Sequence, residues 1–238
     1  MSTYNYIKAT VDDHVFTLTL ARPEKRNAFT PTMVNEIAHA LADAANDHKI
    51  RLVLFRAEGP VFCAGMDLKV FNNPSLDTLN PAIKNKNISL GEVMDSFHKP
   101  TVAVVEGDVI AGAFLLLLGC TYVLAAPQVR FRLPELALGI FPFQVMAGLL
   151  KVMPEKKVLQ LCLDTDYFSV EQAMAYGIVD DLLTDARLTD LKARFNEVDV
   201  EALKTGIQAL RALPAVPADQ HFAFLKDCLE RLRDNSKI

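Results

Sequence analysis

An α/β fold is predicted by three observations in the sequence. Short runs rich in β-branched and apolar residues recur at 15–20, 51–57, 101–105 and 121–126. A helical apolar period lies between the first two of them. Beyond Pro142 the patterning becomes mainly helical. Alternation of this kind favours parallel strands buried on both faces by helices.

The elements follow in chain order. VFTLTLARP (15–23) alternates and stops at a proline, as a strand does. Thr30 is placed to cap a helix that opens on Pro31. Met33, Ile37, Leu41 and Ala44 would share that helix's buried face. RLVLFRAEG (51–59), TVAVVEG (101–107), TYVLAA (121–126) and VRFRL (129–133) read as further strands. The stretch 71–90, with its asparagines and two prolines, reads as a mobile loop with a helical turn or two. Ser169 and Gln172 form a capping-box pattern, and Gly177 ends the helix they open. Two more helices are expected, near 187–212 and 219–233. Leu225, Leu229 and Leu232 would give the last one a partial apolar stripe.

Composition narrows the function classes. With 51% hydrophobic and 23% charged residues, the 238-residue chain is of globular type. The net charge of -4 gives no global attraction to nucleic acid or to anionic lipid. The opening MSTYNYIKATVDDH has no apolar core of a secretory signal, and the four cysteines match no metal spacing. A cytoplasmic protein is expected, with no nucleic-acid partner and no membrane partner. Val109 to Val129 carries no charge and is long enough to span a bilayer. AFLLLLGC favours helix while TYVLAA favours strand, so a short core helix feeding a buried strand is the better reading.

Two glycine turns invite a chemical reading. FCAGMDLK (62–69) and GDVIAGAF (107–114) each stand where a strand ends and a helix can begin. Such corners leave N–H groups unpaired. If the corners are neighbours, one N–H from each could hold a carbonyl oxygen on which charge develops. Plain tight turns are the alternative. The sequence has no dinucleotide fingerprint, no phosphate-binding P-loop and no nucleophile elbow. Glu135, bracketed by Leu133, Pro134, Leu136 and Leu138, is a carboxylate in apolar surroundings. It is therefore paired, capping, or poised with a raised pKa. Glu106 and Asp67 could equally accept backbone N–H groups. Cys63 has no local base and reads as a structural thiol. None of the five histidines is paired at ligand spacing.

Taken together, LARPEKRNAFT (20–30), VFCAGMDLK (61–69), KPTVAVVEGDVIAG (99–112), FRLPELALGIFP (131–142) and SVEQAMAYGIVDDLL (169–183) resemble the crotonase superfamily, the enoyl-CoA hydratase/isomerase family. Their order and separations match over about residues 5–185. The resemblance implies a spiral of ββα turns in residues 1–185 that binds acyl-CoA. It implies a helical region in 186–238 for packing and oligomerisation, as a homotrimer or a dimer of trimers. No cofactor would be bound permanently, since coenzyme A is carried by the substrate. The oxyanion hole would fall on the N–H groups of Met66 and Gly112, and the catalytic carboxylate on Glu135. Lys25, Arg26, Ala28, Ala64, Asp67 and Leu68 would contact coenzyme A. Leu115, Asp108 and Phe114 would border the acyl pocket, and the 71–90 loop its tail.

One departure points to a subclass. The second glutamate of a two-glutamate hydratase falls on Leu115. The pattern is thus similar to Δ3,Δ2-enoyl-CoA isomerases, in which one carboxylate suffices. A hydratase using Asp108, a decarboxylase relying mainly on the oxyanion hole, and a non-catalytic oligomeric binding protein are the alternatives.

Overall fold

The computed structural model describes residues 4–236. Strands β1 (Ile7–Asp12) and β2 (Val15–Leu20) form a hairpin, followed by helix α1 (Pro31–Asn46). Next come β3 (Leu52–Ala57), β4 (Val61–Cys63), α2 (Leu68–Asn72) and α3 (Leu90–Asp95). A second round supplies β5 (Thr101–Val105), β6 (Asp108–Ile110) and α4 (Phe114–Gly119). A third supplies β7 (Tyr122–Ala125), β8 (Arg130–Arg132), α5 (Phe143–Leu149) and α6 (Glu155–Leu163). The chain closes with β9 (Phe168–Ser169), α7 (Val170–Ala175), β10 (Asp181–Leu182), α8 (Asp185–Arg194), α9 (Val200–Ala212) and α10 (His221–Ser236).

The strands sort into two sheets, ordered β1-β2-β3-β5-β7-β10 and β4-β6-β8-β9. Each round sends its first strand to one sheet and its second to the other. β3, β5 and β7 run parallel in the first, and β4, β6 and β8 run parallel in the second. This is the crotonase-like spiral of ββα turns, an α/β fold with a C-terminal helical region. The short strands β4 and β6 are additions to the sequence reading. They overlap the two glycine stretches, so both corners follow strands of the smaller sheet.

The larger sheet is buried on both faces, because side chains alternate along each strand. Val53, Phe55, Ala103 and Val105 join the main core with Met33, Ile37 and Leu41 of α1. Leu52, Leu54, Val102 and Val104 pack on the other face with Leu188, Leu191 and Phe195. Thr30 caps α1 by accepting from Met33 N–H, and Ser169 with Gln172 completes a capping box at α7. Among the described residues no helix is long and apolar enough to cross a membrane. The leucines of 115–118 lie in the short helix α4.

One expectation needs correction and another gains detail. The helix foreseen over 187–212 is two helices, α8 and α9. The Asp199 carboxylate accepts Ala202 N–H at 2.7 Å and starts α9 afresh, an N-cap competing with continued helix. The 71–90 segment holds one 3-10 turn, Pro74–Leu76, and is fastened to α1 by side chains at three points.

Arg211 of α9 fastens the helical region to the spiral. Its Nη1 donates to the carbonyls of Met94 (2.8 Å) and Phe97 (2.7 Å) and to that of Asp95. Its Nη2 reaches Gly119 O at 3.5 Å. A cation at the C-terminal ends of α3 and α4 opposes their dipoles.

Candidate active site

The first corner is built by Gly65. It sits at φ 82°, a left-handed conformation that disfavours any side chain. The segment 26–29 runs alongside it. Ala64 N–H donates to Arg26 O (3.0 Å), Phe29 N–H to Gly65 O (2.8 Å) and Asp67 N–H to Phe29 O (2.9 Å). Met66 N–H is left out of this ladder. The second corner is the 3-10 turn Ala111–Ala113, entered through Ala111 at φ 56°. The opening N–H groups of such a turn have no acceptor within it.

The corners are neighbours. A Cβ on Gly65 would stand 2.8 Å from Ala111 Cβ and 3.0 Å from Gly112 N. A Cβ on Gly112 would stand 3.8 Å from Met66 N and 3.0 Å from Phe29 Cζ. Glycine at both places is what allows the two backbones to meet.

Glu135 opens the 3-10 turn Glu135–Leu138, just after β8. Its side chain is buried, and Oε2 has no hydrogen-bond partner among the described residues. Burial raises its pKa, and its own backbone N–H offsets only part of that. No cation among the described residues pairs with it. It is a carboxylate that holds its proton to higher pH than an exposed one would. Leu115, half-buried on α4, faces α3, where a Cβ on Gly91 would stand 3.4 Å from its Cδ2.

Lys25 and Arg26 are exposed beside the first corner, Ala28 and Ala64 are half-buried, and Leu68 is exposed. Cys63 is the structural thiol foreseen. It is buried, directs Sγ at Asn27 O (3.1 Å), and burial pushes its pKa up to about 12. Glu106 pairs with Arg56 at 3.1 Å on the surface.

Three residues assigned from the sequence have side chains engaged within the protein. The Asp67 carboxylate is held by Arg22 and by α2. Its Oδ2 is 2.8 Å from Arg22 Nη1, and its Oδ1 caps α2 through Lys69 and Val70 N–H. Asp108 has both oxygens held by Arg130. Arg130 N–H donates at 2.9 Å and its guanidinium at 2.8 Å, which joins β6 to β8. Phe114 lines no open space. It is fully buried, edge-on to Phe131 at 6.2 Å and tilted against Phe168 at 6.2 Å.

Sequence reasoning missed Arg22 and Asn27. Asn27 is fully buried, accepts Arg22 N–H (2.8 Å), and donates to Glu58 O (2.8 Å) and Val61 O (2.9 Å). It follows Arg26 in the left-handed region, at φ 52°. The available signal was an asparagine in a turn, since asparagine tolerates that conformation.

Comparison with known proteins identifies the family. Residues 10–217 match the family described as Enoyl-CoA hydratase/isomerase. A putative enoyl-CoA hydratase of Thermus thermophilus is 31% identical over 219 residues, covering 88% of this chain and 85% of that protein. A 1,2-epoxyphenylacetyl-CoA isomerase of Escherichia coli is 30% identical over 197 residues, covering 78% and 72%. Among solved structures, an enoyl-CoA hydratase from Shewanella pealeana superposes with a TM-score of 0.83 at 22% identity, covering 96% and 88%. The match spans both sheets, both glycine corners and the turn that bears Glu135, and the chain belongs to the enoyl-CoA hydratase/isomerase family.

Proposed function

We propose that the chain acts on acyl-CoA thioesters as a Δ3,Δ2-enoyl-CoA isomerase. The carrying observation is the buried carboxylate of Glu135, whose Oε2 has no hydrogen-bond partner among the described residues. In this reading the N–H groups of Met66 and Gly112 hold the thioester oxygen. Glu135 removes a proton from C2 of a 3-enoyl thioester. The C–H electron pair forms a dienolate, whose charge rests on the held oxygen. The protonated carboxyl returns the proton at C4, and the double bond ends between C2 and C3. Glu135 is base first and acid second, a task suited to a pKa raised toward the working pH.

Leu115 supports isomerisation over hydration. It offers no proton and no anchor for a water, and an apolar wall keeps water from the dienolate. Hydration through Asp108 loses its support, because Arg130 binds both of its oxygens. Lys25, Arg26, Ala28, Ala64 and Leu68 form the proposed coenzyme A contact. Residues 186–238 are proposed as the packing and oligomerisation region of a homotrimer or dimer of trimers. Exposed apolar residues there, Leu210, Phe222 and Leu229, support that role.

The deciding experiment is deuterium exchange at C2 of a bound acyl-CoA. Wild type should exchange it and E135Q should not, with thioester binding retained. Exchange that survives E135Q at the wild-type rate would remove Glu135 as the base.

A further inference from the structure

α1 carries a polar stripe that its role as a core helix does not require. Thr32, Asn35, Glu36 and His39 recur at i, i+3, i+4 and i+7 and so share one face. The first three are buried, Glu36 and Thr32 fully so. A buried carboxylate without a cation is costly unless hydrogen bonds replace its water. Glu36 has three such donors. Oε1 accepts Asn5 N–H (2.7 Å) and Asn80 Nδ2 (2.7 Å), and Oε2 accepts Tyr6 N–H (2.8 Å). Asn35 binds the backbone of Lys86 twice, accepting its N–H at 2.7 Å and donating to its carbonyl at 3.0 Å. Thr32 N–H donates to Asp77 Oδ2 at 2.9 Å.

Asp77, Asn80 and Lys86 all belong to one segment. It leaves the Met66 corner through α2 and returns at α3, where Gly91 meets Leu115. It thus joins the oxyanion corner to the apolar wall. Its first half exposes the apolar side chains of Phe71 (64%), Leu76 (57%) and Leu79 (65%).

We infer that Asn35 and Glu36 are positioning residues which hold segment 73–87 as a fixed wall of the acyl site, and so set selectivity among acyl groups from outside it. This inference rests on the acyl-CoA reading above. Asn35 and Glu36 touch no substrate. They act through Lys86 and Asn80, which fix where the apolar rim stands. A preformed wall has less ordering entropy to lose when an extended hydrocarbon chain binds.

The test compares wild type with N35A, N80A and the double variant. Trypsin cleavage at Lys84 and Lys86 reports the wall. The kcat and KM values for 3-butenoyl-CoA and 3-decenoyl-CoA report selectivity. The expected result is at least tenfold faster cleavage with unchanged circular dichroism. The ratio of kcat/KM between the two thioesters should shift at least fivefold, carried by KM. Faster cleavage with an unchanged ratio overturns the inference, and so does unchanged cleavage. If N35A fails to fold, N80A decides, since Glu36 then keeps its two backbone donors. A wild type inert toward both thioesters removes the acyl-CoA reading and this inference with it. Failure confined to the variants removes only the inference.

Discussion

Arg22 Nη1 lies 2.8 Å from Asp67 Oδ2 and also 2.8 Å from the carbonyl oxygen of Ala28. One guanidinium therefore ties the 25–28 segment to the 64–68 turn. Both side chains are shielded, at 10% and 12% exposure. D67A would leave a buried cation without its partner, an expected loss of about 3 kcal/mol in urea denaturation at neutral pH. The pH dependence has a definite sign. Burial pushes the Asp67 pKa up, but the Arg22 hydrogen bond and charge, with the N–H groups of Val70 and Lys69, hold it below the ordinary value. Its stabilisation is present above the ordinary carboxylate pKa and is lost as pH falls through the depressed one. The gap between wild type and D67N should close on acidification.

Glu135 has the opposite sign. Burial lifts its pKa, so the folded state holds the proton more tightly than the unfolded chain. Stability from this group is full at low pH and declines from the ordinary carboxylate pKa up to the raised one. E135Q should therefore gain in melting temperature relative to wild type as pH rises across that window. A gain on the order of 1 kcal/mol would be usual for relief at an active site. Wild-type kcat/KM should rise with pH through the same raised value, because the base must be ionised. A pH profile flat across that range would contradict the assignment.

Gly65→Ala should damage fold and rate together. The left-handed backbone costs about 1–2 kcal/mol for a side chain. The new Cβ would stand 3.0 Å from Gly112 N and Ile110 O, both backbone atoms that cannot swing aside. Loss of one oxyanion donor's geometry should lower kcat by roughly 10²–10³. Calorimetry and C2 proton exchange measure the two effects separately.

Leu115→Glu places an acid on the apolar wall. Water addition to a 2-enoyl thioester should appear or rise, and isomerisation should fall. Stability should drop by about 1–3 kcal/mol, because the new carboxyl enters a half-buried apolar site. Hydration unchanged from wild type would mean that Leu115 does not face the substrate. Product analysis by mass gives the answer.

Much of this architecture was legible along the chain. The strands at 15–20, 52–57 and 101–105 announced themselves by β-branched apolar runs. The caps at Thr30 and Ser169 showed the residue types that satisfy free N–H groups. Strands β4 and β6 did not show, because their three residues run straight into the glycine turns. Glu135 was legible, since a lone acid among leucines is conspicuous. The pairing of Asp108 and Asp67 was not legible because their cations, Arg130 and Arg22, are 22 and 45 positions away. The order in 71–90 was invisible for a similar reason. Its asparagines look like loop chemistry until the buried partners on α1 are seen.

The Arg211 clamp has a consequence for the pocket. One guanidinium holds the ends of both helices that meet at Gly91 and Leu115, and it comes from α9. Detaching α9 removes a charge from the termini of α3 and α4 at once. The C-terminal helices and the apolar wall therefore share one cation, Arg211.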